Sequence, residues 1–179
     1  MTLTKLWAAL TGKTGDHDDD VVWSNAAYPF AALAAQTWPA AVAVGLAGIA
    51  LALGSAAYHS VYERWAQRLD IAGVMGYVAA AVAVVLAQWT FAAYLLPLLA
   101  YGLYYQAWDR IDSFVHVPAW AAVGLNALAI QVGAWALVPA SLFVASGLVK
   151  LTERGSDRWE HSVWHVLSAG AVAAVLWVV

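Results

Sequence analysis

Apolar residues run along this chain in long blocks separated by short polar clusters. Seven blocks approach the roughly 20 residues that a helix needs to cross a hydrocarbon layer of about 30 Å. They cover residues 21–37, 39–62, 70–88, 90–108, 113–132, 134–151 and 161–179. The pattern predicts an all-α polytopic membrane protein, with residues 1–20 as a cytoplasmic tail and residues 21–179 as a single bundle of seven transmembrane helices. The first block is the shortest, and only Trp38 and Pro39 divide it from the second, although proline is tolerated in the first turn of a helix. The apolar stretch from Leu6 to Leu10 is too short for the core of a signal peptide, so the tail reads as a polar or surface segment.

Charge tests the count. In a serpentine of seven helices alternate connections lie on alternate faces of the membrane. All eleven Asp and Glu and all eight Lys and Arg fall in the tail, in the 2–3, 4–5 and 6–7 connections, or at the helix ends beside them. A wrong count among spans two to seven would scatter these charges over both faces. The positive-inside rule, applied to Lys5, Lys13, Arg64, Arg68, Arg110, Lys150, Arg154 and Arg158, puts that face in the cytoplasm and the carboxyl terminus outside. The expected location is a plasma membrane, of the bacterial inner-membrane type.

Composition narrows the chemistry. With 64% hydrophobic and 11% charged residues, a soluble domain of 179 residues could not hide its apolar surface. There is no basic stripe for nucleic acid, and the net charge of -3 comes mainly from Asp16, Asp18, Asp19 and Asp20. The absence of cysteine removes thiolate ligands and thiol nucleophiles, so a bound metal must rely on nitrogen and oxygen. Trp38, Trp89, Trp108, Trp135 and Trp177 near helix ends read as interfacial anchors. Gly45, Gly48, Gly54 and Ser55 on helix two would let neighbouring backbones approach closely.

Ionisable groups at membrane depth are expensive and need a partner or a role. His161 and His165 are four residues apart and project from one face of helix seven, the spacing by which two imidazoles reach one zinc ion. On helix two Ser55 and His59 share that spacing, and Asp70 opens helix three. The end of helix two and the starts of helices three and seven all lie on the charged face, so the three histidines and the aspartate can meet at one depth. Three imidazoles leave a fourth position of a tetrahedral zinc site open to water, the pattern of a catalytic centre. Asp70 would orient that water or take its proton, and Ser55 would hydrogen-bond the water or the developing oxyanion.

Blander readings stand beside these. A lone membrane histidine packs more often than it ligates, Asp70 has the alternative of a helix-capping carboxylate, and Ser55 that of a small contact. His116 reads as a polar interface residue, Asp109, Arg110 and Asp112 as a solvated turn, and Asn25, Asn126, Gln36, Gln88, Gln106 and Gln131 as interhelical hydrogen-bonding groups. A retinal protein is excluded because helix seven has no lysine, and Lys150 is assigned only to the end of helix six.

The order Gly54-Ser55-Ala56-Ala57-Tyr58-His59, then Asp70, then His161-Ser162-Val163-Trp164-His165 resembles the CREST superfamily of seven-helix membrane hydrolases. That superfamily includes the alkaline ceramidases and the progestin and adipoQ receptors with the hemolysin III group. The resemblance covers helices two, three and seven. It implies zinc on His59, His161 and His165, with Asp70 and Ser55 as catalytic residues around the metal-bound water. In the ceramidases it implies cleavage of a lipid amide to a sphingoid base and a fatty acid. The run Trp164-His165-Val166-Leu167-Ser168-Ala169 looks like the ceramidase ending, whereas Ser55 to His59 also looks like hemolysin III. In hemolysin III a histidine follows the aspartate; Ile71 stands there in this chain, which favours the ceramidase side. Ceramidases also carry an amino-terminal calcium site. Asp16, Asp18, Asp19, Asp20, Trp23 and Asn25 offer similar residues, but the spacing does not register, and a solvated acidic tail is the default.

The expectation is therefore a zinc-dependent amidohydrolase whose lipid substrate enters its acyl chains sideways from the bilayer. The rival is a non-enzymatic member, receptor-like or fusion-related, whose zinc only ties helices two and seven. A proton-relaying transporter is disfavoured, since no other buried ionisable group continues a path to the outer face.

Overall fold

The computed structural model describes residues 24–61, 63–110, 112–152 and 158–179. The described residues form helices and turns, with no strand among them. In chain order the α-helices are α1 (Ala27–Phe30), α2 (Trp38–Val61), α3 (Arg64–Leu86), α4 (Leu96–Ala107), α5 (Ser113–Val132), α6 (Leu137–Thr152) and α7 (Arg158–Val178). Four helical runs are long and apolar enough to cross a membrane: Trp38–Ser60, Arg64–Leu86, Val115–Thr152 and Glu160–Val178. The third has 38 residues and would measure roughly 57 Å as one straight helix, nearly twice the hydrocarbon thickness. It does not stay straight, because Gly133 has φ +57°, a backbone state that favours glycine, and a 3-10 turn over Gly133–Ala136 follows. The chain reverses there, and α6 returns along α7 while α5 lies along α3.

The elements differ from the sequence pattern in places with physical causes. Among the described residues of the first block, α1 is followed by a 3-10 turn over Ala31–Ala34 that ends where Ala35 turns extended, so no continuous helix fills residues 24–37. The fourth block also starts with a 3-10 turn, Phe91–Leu95, and α4 begins only at Leu96, with Pro97 in its first turn where a missing N–H does no harm. Helix α3 begins at Arg64, six residues before the expected start. Its first turns mix the buried Ala66 with two arginines that lie over aromatic rings, the Arg68 guanidinium 4.0 Å from the Tyr105 ring centroid and Arg64 5.3 Å from that of Trp108. Asp70 consequently sits inside the helix instead of capping it.

Helix α2 and α3 form the closest pair in the bundle. A β-carbon on Gly54 would meet the Leu69 carbonyl oxygen at 2.7 Å, so only glycine lets α2 press its backbone onto α3 at the level of Asp70. Gly48 does the same against the backbone of Tyr28 and Pro29, at 2.8 Å. Buried contacts at the other end join Val85 of α3, Leu128 of α5, Ala136 and Val175 of α7. Many large apolar side chains point outward, among them Leu33, Leu98, Ile130, Leu137 and Leu151, a surface suited to lipid and unsuited to water.

Every described Asp, Glu, Lys and Arg lies at one end of this bundle, near the ends of α2, α4 and α6 and the starts of α3, α5 and α7. The opposite end is ringed by exposed Trp38, Trp89, Trp135 and Trp177.

Candidate metal centre

The last turns of α2 and the first turns of α7 meet at the charged end, and there His59, His161 and His165 converge. Each offers one ligand nitrogen, and these atoms lie within 4.8 Å of one another. The ring centroids are 4.7 Å apart for His59 and His161, 4.6 Å for His161 and His165, and 6.3 Å for His59 and His165. Nitrogens on a tetrahedral zinc stand roughly 3.3 Å apart, given Zn–N bonds near 2.0–2.1 Å. A closure of about an ångström and a half, within reach of imidazole rotation, would bring the three onto one ion, so the donor set fits zinc in number and in chemistry. His165 is 1% exposed and His59 9%, so both are shielded from water and from the competition it offers a metal.

Aromatic rings pack around the cluster. Tyr58 lies against His59 (5.4 Å between centroids), Tyr28 against His165 (5.4 Å), and Trp164 against His161 (5.2 Å) and His165 (5.0 Å). Two polar groups reach the imidazoles from other segments. Ser24 Oγ is 2.8 Å from His165 Nδ1, across 141 residues of sequence. Lys150 Nζ, on the last turns of α6, donates to His161 Nδ1 at 3.2 Å. A metal-bound imidazole is normally oriented by an acceptor for the N–H of its second nitrogen, a part the Ser24 hydroxyl can take.

Asp70 and Ser55 meet beside this cluster. The Ser55 hydroxyl hydrogen-bonds the Asp70 carboxylate, and Lys150 attracts the same carboxylate electrostatically. Gly54 makes the pairing possible by letting α2 and α3 touch one residue before Ser55. All five residues singled out from the sequence thus lie in one neighbourhood, and His59, Ser55, Asp70 and His161 line one cavity of about 420 Å³.

The cavity is built asymmetrically. Its ionisable groups, His59, Asp70, Lys150 and His161, sit at the charged end, with Ser146, Ser168 and Tyr77 one to two turns deeper. From there Val74, Val78 and Val82 of α3, Leu125 of α5, Phe143 of α6 and Val172 of α7 carry it into the apolar body. From His161 to Val172 is eleven residues of helix, roughly 17 Å. Helices α5 and α6, joined at the Gly133 turn, make few contacts with each other, and residues of both line the cavity.

Other candidates fall elsewhere. His116 Nδ1 is 2.9 Å from Tyr104 Oη, to which Trp120 Nε1 also donates at 3.1 Å, so His116 belongs to the α4–α5 interface. Gln131 donates to the Val85 carbonyl on α3, the interhelical bond expected of it, whereas Asn126 donates to Ala122 within its own helix and Gln36 to the nearby Ala34. Of the residues weighed for calcium, Asn25 is buried, and Asp16, Asp18, Asp19, Asp20 and Trp23 lie outside the described residues. Sequence reasoning gave no role to Lys150, Ser24, Trp164, Ser146 or Ser168. Lys150 had a usable signal, since the end of helix six and the start of helix seven share a face. Ser24 had none.

Fold and site together define a helical bundle with a three-histidine candidate metal centre at one end of a largely apolar cavity. Comparison with protein-family models, with curated proteins and with solved structures finds no match to this chain.

Proposed function

We propose that the protein is a zinc-dependent intramembrane hydrolase of a ceramide-like lipid amide, akin to the alkaline ceramidases of the CREST superfamily. The observation that carries this reading is the juxtaposition of three imidazoles with a carboxylate and a hydroxyl at the polar end of an otherwise apolar cavity. His59, His161 and His165 would hold the ion. Zinc at such a site supplies a hydroxide nucleophile near neutral pH and polarises a carbonyl. The apolar walls bind the acyl chain, which enters between α5 and α6, where the helices make few contacts, and so bring the scissile carbonyl to the polar end. Asp70 takes a proton from the attacking water on a carboxylate oxygen and delivers it to the departing amine, giving a free amine and a fatty acid. The Ser55 hydroxyl holds the Asp70 carboxylate in place for this transfer.

The same reading has seven crossings with the charged end in the cytoplasm. It is supported by the reversal at Gly133 inside a run too long for one crossing, and by the opposed charged and tryptophan-ringed ends. The chain has no cysteine, so Asp112→Cys and Gln88→Cys each introduce a single thiol. An impermeant maleimide should label the two from opposite sides of the membrane.

Zinc analysis of the detergent-purified protein beside His161→Ala, followed by incubation with ceramide and other acyl lipids, tests the function. One equivalent of zinc, diminished in the variant, with fatty acid released by the wild type is the expected result. Zinc without product favours a second reading, supported by the scant contact between α2 and α7 apart from their histidines: the ion is a strut between two helices. In that case chelation lowers the melting temperature and no lipid is cleaved. Absence of zinc removes both.

A further inference from the structure

We propose that Lys150 is a positioning residue that opposes metal loading: its hydrogen bond to His161 and a metal ion on His161 exclude each other. The inference rests on the metal reading above.

It follows from donors and acceptors. Lys150 Nζ lies 3.2 Å from His161 Nδ1 and 4.9 Å from the centroid of the Trp164 ring. One turn earlier on α6, Ser146 Oγ meets Ser168 Oγ of α7 at 2.7 Å, which fixes the two helices in register and holds Lys150 opposite His161. A lysine ammonium has three donors and no acceptor, so Nδ1 must accept and a neutral His161 carries its proton on Nε2. A metal needs a lone pair. If it binds Nδ1, it takes the lone pair that Lys150 occupies. If it binds Nε2, the ring proton moves to Nδ1 and points at an ammonium that cannot accept it. By either route Lys150 must leave.

His165 provides the contrast within the same cluster. Its Nδ1 faces the Ser24 hydroxyl at 2.8 Å, and a hydroxyl both donates and accepts, so His165 can exchange tautomers with its neighbour in place. Ser24 is therefore a partner of the kind that metal-bound histidines use, and Lys150 is not. The released ammonium has somewhere to go, because it lines the cavity and is attracted by the Asp70 carboxylate. Occupation of the site by metal would then draw Lys150 from His161 toward the cavity, where a substrate's polar group would sit.

The test is zinc affinity of the detergent-solubilised full chain, measured by competition with a chromogenic chelator, for wild type, Lys150→Met, Lys150→Gln and Lys150→Arg. Lys150→Met should bind about tenfold tighter or more, Lys150→Gln tighter still because its amide oxygen accepts Nδ1–H, and Lys150→Arg, all donors, should stay within about threefold of wild type. Equal or weaker binding by Lys150→Met and Lys150→Gln overturns the inference and leaves the metal reading standing. No zinc on any of the four overturns both. ¹⁵N spectra of histidine-labelled, metal-free wild type need no variant: His161 protonated on Nε2 is expected, and protonation on Nδ1 alone overturns the inference.

Discussion

The two ends of this bundle solve the same packing problem with opposite chemistry. At the tryptophan-ringed end Val85, Leu128, Ala136 and Val175 close the interior with apolar contacts, and the exposed Trp135 and Trp177 rings stand 6.4 Å apart. At the charged end the helices hold three histidines, an aspartate and a lysine around one end of a cavity. Among the described residues one end is closed by apolar contacts and a single neutral amide, Gln131, bonded to the Val85 carbonyl, whereas the other gathers ionisable groups that are costly to bury alone. A helix bundle in lipid gains little from leaving ionisable groups inside it, so their concentration at one end is the reason to look for function there.

The sharpest way to break this contrast is to remove a ligand. His59→Ala or His165→Ala should lower zinc affinity more than the 10–100-fold typical of outer-shell changes, read by elemental analysis after dialysis. Retained stoichiometric zinc would show that these imidazoles are not its ligands. Next, Asp70→Asn keeps the shape and removes the proton acceptor of the proposed hydrolysis, so on that proposal lipid-amide turnover should fall by about 10²–10⁴-fold while zinc stays bound. Turnover undiminished in that variant would take Asp70 out of the chemistry.

Two smaller effects compare the ends directly. In Gly54→Ala the new methyl meets the Leu69 carbonyl, and α2 must shift off α3, at a cost of about 1–3 kcal/mol of stability. The melting temperature should drop by about 2–4 °C per kcal/mol, and the Ser55–Asp70 pair should loosen with it, so turnover falls as well. Trp177→Ala, on the opposite end, should cost no more than about 1.5 kcal/mol, the worth of one aromatic pair, and leave zinc content unchanged. A loss of zinc in Trp177→Ala would mean that the two ends are not independent.

How far the sequence reached depends on which property it had to reveal. The runs that became α2, α3 and α7 were legible because transfer into lipid is a sum over single residues. The start of α3 was misjudged by six residues because arginines that lie over aromatic rings extend a helix without adding hydrophobicity. The 3-10 segments at Ala31–Ala34 and Phe91–Leu95 were hidden for a similar reason, since hydropathy does not register how tightly a backbone is wound. His59, His161, His165, Asp70 and Ser55 stood out because each is a polar residue in an apolar run, and helix parity already put them at one depth.

By itself, then, the sequence determined an apolar helical chain, the side on which its charges lie, and the histidines that share a helix face, since all of these follow from residue identity and the 3.6-residue period. Only the tertiary structure decided that Lys150 holds His161, that Ser24 meets His165, that Gly54 brings Ser55 to Asp70, and that α5 and α6 both line one cavity. Those are distances between side chains on different segments, and they depend on how far each helix is shifted and rotated against its neighbour, which no one-dimensional pattern encodes.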